Sequence, residues 1–247
     1  MADLRDQLAI VTGASSGLGE ATALRLAELG ARVALLARSK ADLDRVAARI
    51  KDAGGAALAL PADLADPAVV VAAAERIISG AASPRVLVNV AATDAPGPAE
   101  EVSLEDWERV IRVNLTAPFL LSRAVLPHMR AAGGGTIVNV SSVAGRRGWA
   151  NASAYCATKF GLTGLTQALA AEGAPHNVRV VCLYPGAMAT HWGTWSPANR
   201  DRPRHTTPED ALPPEDVANY IAWLILAPAH LVVTEAVVAP IRERGWP

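Results

Sequence analysis

The sequence predicts an α/β protein built on one doubly wound sheet of seven mostly parallel strands, with helices on both faces. First, short and continuously apolar runs alternate with segments of helical periodicity along most of the chain. Second, these runs lack the apolar–polar alternation of a half-exposed sheet, so both faces of the strands are expected to be covered. Third, no linker or low-complexity stretch divides the chain, and we predict a single domain over residues 1–247.

The predicted elements follow one another in the order strand, helix, strand. Helices are predicted at 19–30, 41–53 and 106–130, and a further helix carries Tyr155 and continues over 160–172. Residues 191–214 break the pattern with prolines and charges, and we predict a surface excursion there on the substrate side. Strands are predicted at 8–13, 31–37, 56–64, 85–92, 135–142, 177–186 and 232–240.

The composition argues against several function classes. A net charge of −1 gives no reason to expect nucleic acid or an anionic membrane as a partner. No apolar run reaches about 18 residues and no leader opens the chain, so we expect a soluble cytoplasmic protein. The five histidines have no metal-ligand spacing, and no metal is expected. Cys156 and Cys182 lie in apolar runs and are predicted to be buried free thiols.

A glycine-rich turn joins the first predicted strand to the first helix. The segment VTGASSGLGE places Gly13, Gly17 and Gly19 there with the spacing GxxxGxG. Glycine allows a tight turn and a close approach to a ligand, and a helix N-terminus offers free N–H groups to a phosphate. The turn therefore predicts a dinucleotide pyrophosphate site, although a tight connection alone would use the same residues.

The end of the second strand indicates which dinucleotide is bound. An NAD site has an acid about 20 residues after the turn, for the ribose 2′-hydroxyl. Here Ala37 and Arg38 stand instead, and the Arg38 guanidinium can pair with the 2′-phosphate of NADP. A solvated surface arginine is the alternative. Asp63, after the third strand, either accepts a hydrogen bond from the adenine amino group or caps the next helix.

Tyr155 and Lys159 are four residues apart in the segment AYCATKFG. Residues i and i+4 share a helix face, so the phenol and the ammonium are expected to lie side by side. A free phenol has a pKa of about 10, and a nearby cation favours its ionised form. We therefore predict that Lys159 lowers the pKa of Tyr155, which exchanges a proton with the substrate. A surface pair without a role in catalysis is the alternative.

Five segments occur in a fixed order along the chain. They are TGASSGLG (12–19), VNL (113–115), NVSS (139–142), YCATK (155–159) and PGAMAT (185–190). Together they resemble the classical short-chain dehydrogenases/reductases, which implies a Rossmann-type fold and a catalytic tetrad of Asn114, Ser142, Tyr155 and Lys159. Ser142 would donate a hydrogen bond to the substrate oxygen, and Asn114 would hold a water between Lys159 and solvent. Only the thirteen-residue spacing to Tyr155 distinguishes Ser142 from Ser141.

The resemblance also implies the residues that hold the cofactor. Thr190 would hold it near its phosphates or its carboxamide, and Asn89 would join the central strands beside it. The implied cofactor-binding residues are Gly13, Ser15, Ser16, Gly17, Leu18, Gly19, Arg38, Asp63, Leu64, Asn89, Ala91, Tyr155, Lys159, Pro185, Gly186, Met188 and Thr190.

Three segments depart from the family pattern. Residues 89–92 read Asn-Val-Ala-Ala where the family usually has Asn-Asn-Ala-Gly, so a methyl group lies where the backbone normally approaches the cofactor. Ser16 stands where NADP-preferring members often carry a basic residue, which leaves Arg38 as the argument for NADP. The C-terminal VVTEAVVAP replaces the usual Val-Asp-Gly-Gly and resembles a subset that includes hydroxy-acid dehydrogenases and clavulanic-aldehyde reductases.

These observations predict an NADP(H)-dependent oxidoreductase (EC 1.1.1.-) that reduces a ketone or aldehyde, or oxidises the matching alcohol, by hydride transfer. Tyr155 would be its general acid/base. The alternatives are a catalytically silent NADP-binding regulatory or scaffold protein on the same fold, and an epimerase or dehydratase. The excess of small and apolar residues over 160–172 predicts a homodimer or homotetramer, with this helix and 106–130 at a two-fold contact.

The predicted substrate pocket has mostly apolar walls. Arg146 and Arg147 are near enough in the sequence to leave a carboxylate substrate open. The candidate wall residues are Thr93, Asp94, Ala144, Trp149, Asn151, Tyr184, Met188, Trp192 and Trp195.

Overall fold

Strands and helices alternate along the computed structural model, which describes residues 4–80, 82–190, 207, 209–228 and 230–243. Most of the excursion at 191–214, with Trp192 and Trp195, lies outside the described residues. The first half contains β1 (Leu8–Thr12), α1 (Gly17–Glu28), β2 (Arg32–Ala37), α2 (Lys40–Asp52), β3 (Ala56–Pro61), α3 (Pro67–Ile78) and β4 (Pro84–Asn89). The second half contains α4 (Leu104–Ile111), a π-helical segment (Arg112–Thr116), α5 (Ala117–Ala131), β5 (Gly135–Val140), α6 (Ser153–Gly173), β6 (Val178–Pro185), α7 (Pro214–Leu226) and β7 (Glu235–Val238).

The strands of the described residues form one seven-stranded sheet in the order β3-β2-β1-β4-β5-β6-β7. Every neighbouring pair runs parallel, so the predicted doubly wound, Rossmann-type architecture is confirmed. The strand order reverses between β1 and β4. In such sheets the carboxyl ends of the strands diverge at the reversal and leave a crevice where ligands bind.

Both faces of the sheet are buried, as the continuously apolar strands predicted. Val11 and Leu35 belong to the core layer that contains residues of α1, α2 and α7. Their neighbours Ile10 and Leu36 belong to the opposite layer, with residues of α3, α5 and α6. All four side chains are fully buried, because successive residues of a strand point to opposite faces.

Local sequence sets where the helices begin. The Ser39 hydroxyl accepts a hydrogen bond from the Asp42 N–H at the start of α2. Asp66 accepts from the Ala68 N–H at 2.8 Å at the start of α3, whose first residue is Pro67. These caps satisfy N–H groups that have no partner within the helix.

Two predicted elements differ from the structure, and one helix was missed. The predicted strand 85–92 ends at Asn89, because the next two N–H groups bind the side chain of Thr12 instead of a neighbouring strand. The predicted helix 106–130 is divided by the π-helical segment, whose wider hydrogen-bond register has no sequence signature. Helix α7, which begins at Pro214, was not predicted. No described helix is long and apolar enough to span a membrane.

Candidate active site

The glycine-rich turn packs against the segments that follow β4 and β6. Gly13 and Gly17 have φ angles of 66° and 53°, which residues with a side chain rarely adopt. A Cβ on Gly13 would lie 3.0 Å from Cα of Ala91, and one on Gly17 would lie 3.3 Å from Cγ2 of Thr190. The turn therefore brings together predicted cofactor residues from three parts of the chain.

Helix α1 begins inside this turn. Its N-cap residue, Ser16, makes no side-chain capping hydrogen bond, so that side chain leaves the first N–H groups of α1 available to a phosphate. Leu18 and Gly19 are buried, and a Cβ on Gly19 would lie 2.1 Å from the carbonyl oxygen of Gly13. The backbone path therefore requires glycine at this position.

Arginines on α2 hold the turn from outside. Arg45 donates to the carbonyl oxygen of Ser15 at 3.0 Å and to Oε2 of Glu20 at 2.8 Å, and Arg49 also binds Glu20. The hydrogen bond from Arg45 is the largest effect that lowers the pKa of Glu20. The sequence did not predict these contacts, because nothing in the spacing of α2 and the glycine-rich turn indicates that they meet.

Arg38 follows β2 directly, and its side chain is exposed. Within the described part of the chain its guanidinium forms no ion pair. The nearby acids have other partners, since Asp44 pairs with Lys40 and Asp42 lies 4.0 Å from Arg45. A phosphate on the ribose would therefore meet a free cation and no competing carboxylate at the end of β2.

The structure decides one alternative for Asp63. Asp66 caps α3, so the prediction that Asp63 caps that helix is wrong. Asp63 Oδ1 accepts a local hydrogen bond from the Ala65 N–H at 3.0 Å, its side chain is exposed, and the neighbouring Leu64 is buried. The other predicted role of Asp63, accepting a hydrogen bond from the adenine amino group, stays a prediction.

Polar side chains join the central strands to α6. Asn89 Nδ2 donates to Asn139 Oδ1 at 2.8 Å, and Asn139 Nδ2 donates to Thr166 Oγ1 at 2.9 Å. Thr12 Oγ1 accepts the N–H groups of Val90 and Ala91, both at 3.0 Å. The segment after β4, where the chain departs from the family pattern, is thus fixed to β1; sequence reasoning missed this role of Thr12.

Tyr155 and Lys159 form a buried pair on α6. Tyr155 is 7% exposed and Lys159 is 2% exposed, so the alternative of a surface pair is wrong. The Lys159 ammonium lies 5.5 Å from the centroid of the Tyr155 ring and donates to the carbonyl oxygen of Val140 at 2.8 Å. The Tyr155 phenol and the Lys159 ammonium therefore lie side by side in the interior of the protein, at the end of β5.

Burial controls the ionisation of this pair. It raises the pKa of Tyr155, while a hydrogen bond with Ser142 lowers it and the charge of Asp94 raises it further. Burial lowers the pKa of Lys159 to about 8. The expected lowering of the phenol's pKa is therefore not met in this structure, because desolvation is the largest effect on Tyr155 and raises its pKa. The phenol keeps its proton at neutral pH.

The two serines after β5 have different environments. Ser141 is 4% exposed and donates to the carbonyl oxygen of Lys159 at 3.1 Å. Ser142 is half-buried, accepts from the Ala144 N–H at 3.1 Å, and is close enough to Tyr155 to lower the pKa of its phenol. Ser142 is thus the serine that can share a substrate oxygen with Tyr155.

Asn114 lies in the π-helical segment and is 1% exposed. Its Oδ1 accepts from the Thr93 N–H and its Nδ2 donates to the Thr93 carbonyl oxygen, both at 2.8 Å. Nδ2 also donates to Thr158 Oγ1 at 3.1 Å. Both amide hydrogens of Asn114 are therefore donated to protein atoms. These contacts connect the segment after β4 to α6.

The segment after β6 is held by the C-terminal tail. Gly186 N–H donates to the carbonyl oxygen of Val238 at 2.8 Å, and Ala187 N–H donates to Glu243 Oε2 at 2.8 Å. A Cβ on Gly186 would lie 2.4 Å from that carboxylate oxygen. The sequence predicted a last strand over 232–240 and gave no sign of the contact that Glu243 makes. The predicted cofactor residues in this segment are Pro185, Gly186, Met188 and Thr190.

Tyr184 does not line an open pocket, and Arg146 already has an ionic partner. Tyr184 is fully buried, with the Arg146 guanidinium 5.2 Å from its ring centroid. Arg146 also pairs with Glu235 at 2.9 Å, so it is not a free cation for a substrate carboxylate. The described residues contain no cluster of His, Cys, Asp and Glu that could hold a metal.

Comparison with known proteins identifies the family. The model of the family described as short chain dehydrogenase matches residues 7–200. The chain is 39% identical over 231 residues to cis-4-hydroxycyclohexanecarboxylate dehydrogenase of Sinomonas cyclohexanicum, covering 92% of each chain. It is also 39% identical over 190 residues to D-threitol dehydrogenase of Mycolicibacterium smegmatis, covering 77% of this chain and 73% of the relative.

A solved structure of a metagenomic short-chain oxidoreductase in complex with NADP is similar over almost the whole chain. Its TM-score is 0.84 and its sequence identity 36%, and the match covers 97% of this chain and 99% of that one. The family match, the relatives and this likeness agree with the turn, the buried pair and the sheet order. The chain therefore belongs to the short-chain dehydrogenase/reductase family of oxidoreductases.

Proposed function

We propose that this protein is an NADP(H)-dependent oxidoreductase that interconverts a small ketone or aldehyde and the matching alcohol. The observation that carries the proposal is the buried pair of Tyr155 and Lys159, with Ser142 close enough to lower the pKa of the phenol. A silent scaffold on this fold would have no use for a buried lysine, whose desolvation costs free energy, and no observation favours that alternative.

NADP(H) fits the residues that are present. The glycines let the turn pack closely against Ala91 and Thr190, and α1 begins in this turn with N–H groups that can bind a phosphate. Arg38 stands beside Ala37 with an exposed side chain that forms no ion pair with the residues that the structure describes. The similar metagenomic oxidoreductase was crystallised with NADP. In this assignment the turn and α1 hold the pyrophosphate, and Arg38 holds the 2′-phosphate.

The chain's own residues handle the proton. The bound cofactor supplies or accepts the hydride. In carbonyl reduction Tyr155 Oη gives its proton to the substrate oxygen, and Ser142 Oγ donates a hydrogen bond to the same oxygen. Lys159 stabilises the phenolate that remains. In alcohol oxidation the proton returns from the hydroxyl to Tyr155, so one group serves both directions.

The assay that tests this function measures the loss of NADPH absorbance with a panel of uncharged ketones and aldehydes, and its gain from NADP⁺ with the matching alcohols. We expect turnover in both directions for at least one pair. Reduction should persist at neutral pH, because burial keeps Tyr155 protonated. A protein that binds NADPH tightly but turns over no member of a broad panel would support the scaffold alternative instead.

We also propose the homodimer or homotetramer that the sequence predicts, and a cytoplasmic location. Large apolar side chains on α4, α5 and α6 remain exposed, and burying them between copies would be favourable. Light scattering at micromolar concentration should therefore give a mass of two or four times 25.7 kDa. A single species of 25.7 kDa would contradict the prediction. The exposed apolar side chains on α4, α5 and α6 are Leu104, Trp107, Phe119 and Phe160, exposed by 71%, 36%, 42% and 46%.

A further inference from the structure

Asp94 directly follows Thr93, whose backbone Asn114 joins to Thr158 of α6, three residues after Tyr155. It lies in the segment after β4, at the carboxyl edge of the sheet, and its side chain is half-buried. Its charge acts on Tyr155, where it opposes ionisation of the phenol. Neither the buried pair nor the glycine-rich turn requires an acid here, so this carboxyl needs a separate explanation.

The backbone on both sides of Asp94 is held firmly. Arg109 of α4 donates to Thr93 Oγ1 at 2.8 Å and to the Asp94 carbonyl oxygen at 3.3 Å. The Thr93 backbone is also clamped by both polar ends of the Asn114 side chain. This rigidity fixes where the Asp94 carboxyl stands relative to α6, which carries Tyr155.

The Asp94 carboxyl can accept further hydrogen bonds. Its Oδ1 accepts from the Ala95 N–H at 2.7 Å, and its second oxygen accepts no hydrogen bond from any residue that the structure describes. The Arg109 guanidinium is paired with Asp106 at 2.6 Å. Its charge lowers the pKa of the Asp94 carboxyl, but its hydrogen bond to Asp94 goes to the backbone oxygen. Burial raises the pKa of Asp94, which is the cost of a partly desolvated acid that lacks a full set of partners.

We propose that Asp94 determines substrate specificity by accepting a hydrogen bond from a second hydroxyl near the reacting carbon. This inference rests on the proposed function. The substrate class is then a polyhydroxylated alcohol or the matching hydroxyketone. A carboxylate at the same place on the substrate is disfavoured, because it would face Asp94. Of the two arginines considered for a substrate carboxylate, Arg146 is bound to Glu235, and the exposed Arg147 is the remaining candidate.

The test compares four substrates that share one ring: cyclohexanol, the 1,2- and 1,3-cyclohexanediols, and 2-hydroxycyclohexanecarboxylate. We expect kcat/KM with NADP⁺ to be at least about tenfold higher for the best diol than for cyclohexanol, as one hydrogen bond to a charged group allows. In Asp94→Asn the ratio of diol to cyclohexanol should fall, and the ratio of the hydroxy acid to cyclohexanol should rise. A general structural defect would not move the two ratios in opposite directions.

A binding measurement separates recognition from turnover. Calorimetric titration of the same diol into Tyr155→Phe loaded with NADP⁺ should show affinity that a second change, Asp94→Asn, weakens by about tenfold. The matched control is Asp216→Asn, an exposed acid on α7, which should leave both ratios unchanged. If cyclohexanol is oxidised and Asp94→Asn leaves both ratios unchanged, the role of Asp94 is refuted. If no alcohol or ketone on the panel reacts, the proposed function itself fails.

Discussion

Replacing Tyr155 with phenylalanine is expected to slow single-turnover oxidation of NADPH by about 10²–10⁴-fold, the range typical of a positioned acid. The change removes only the hydroxyl that gives the proton, and the ring continues to fill its buried place between Lys159 and Ser142. Binding of NADPH should be retained, because the glycine-rich turn and Arg38 are untouched. The measurement is a rapid-mixing experiment with a carbonyl substrate, alongside a nucleotide titration.

Tyr220→Phe is the matched control for this change. Tyr220 lies on α7 and stacks on Trp223 at 5.8 Å between ring centroids, so its hydroxyl should have no effect on the hydride step. Ser142→Ala should slow the same step without weakening NADPH binding. Turnover of Tyr155→Phe at the parental rate would show that the proton comes from another group, and the mechanism proposed here would be wrong.

The second large effect concerns the cofactor. The parent protein should bind NADPH more tightly than NADH, because Arg38 is unpaired and no acid stands at the end of β2. The double change Ala37→Asp and Arg38→Leu should reverse this preference. Removing the charge-assisted hydrogen bonds to the 2′-phosphate costs about 1.5–3 kcal/mol, or roughly 10- to 100-fold in affinity. The new acid would repel the phosphate and accept from the ribose hydroxyl of NADH.

Fluorescence titration with both nucleotides measures the preference. Arg32→Leu provides the control, since Arg32 is an exposed arginine at the opposite end of the same strand. It should bind both nucleotides as the parent does. Equal affinities of the parent for NADPH and NADH would contradict the role given to Arg38.

The sequence predicted the features that depend on local chemistry. Strands covered on both faces need continuous apolar runs, as β1 and β2 have, and a turn with positive φ angles needs glycine, as at Gly13 and Gly17. The separation of Tyr155 and Lys159 predicted one helix face. These features depend on residues that are close in the chain, or on composition, and both are visible without a structure.

Features that depend on distant segments could not be predicted in this way. Nothing in the sequence indicates that Arg45 meets Ser15 or that Arg109 holds the backbone at Asp94. The pKa of Tyr155 was predicted in the wrong direction for the same reason, because spacing reveals the neighbouring cation but not the depth of burial. Whether desolvation or attraction wins is decided by the packing of α6 against the rest of the protein.

The bond between the Glu243 carboxylate and the Ala187 N–H has a consequence for protein engineering. It joins segments 56 residues apart in the chain, and the Gly186 N–H reaches the carbonyl oxygen of Val238 beside it. A chimera that takes the tail from another family member would keep every strand and the whole tetrad, yet it would leave the Ala187 N–H without its acceptor. Residues 185–190 and 238–243 should therefore be exchanged between family members together, as one unit.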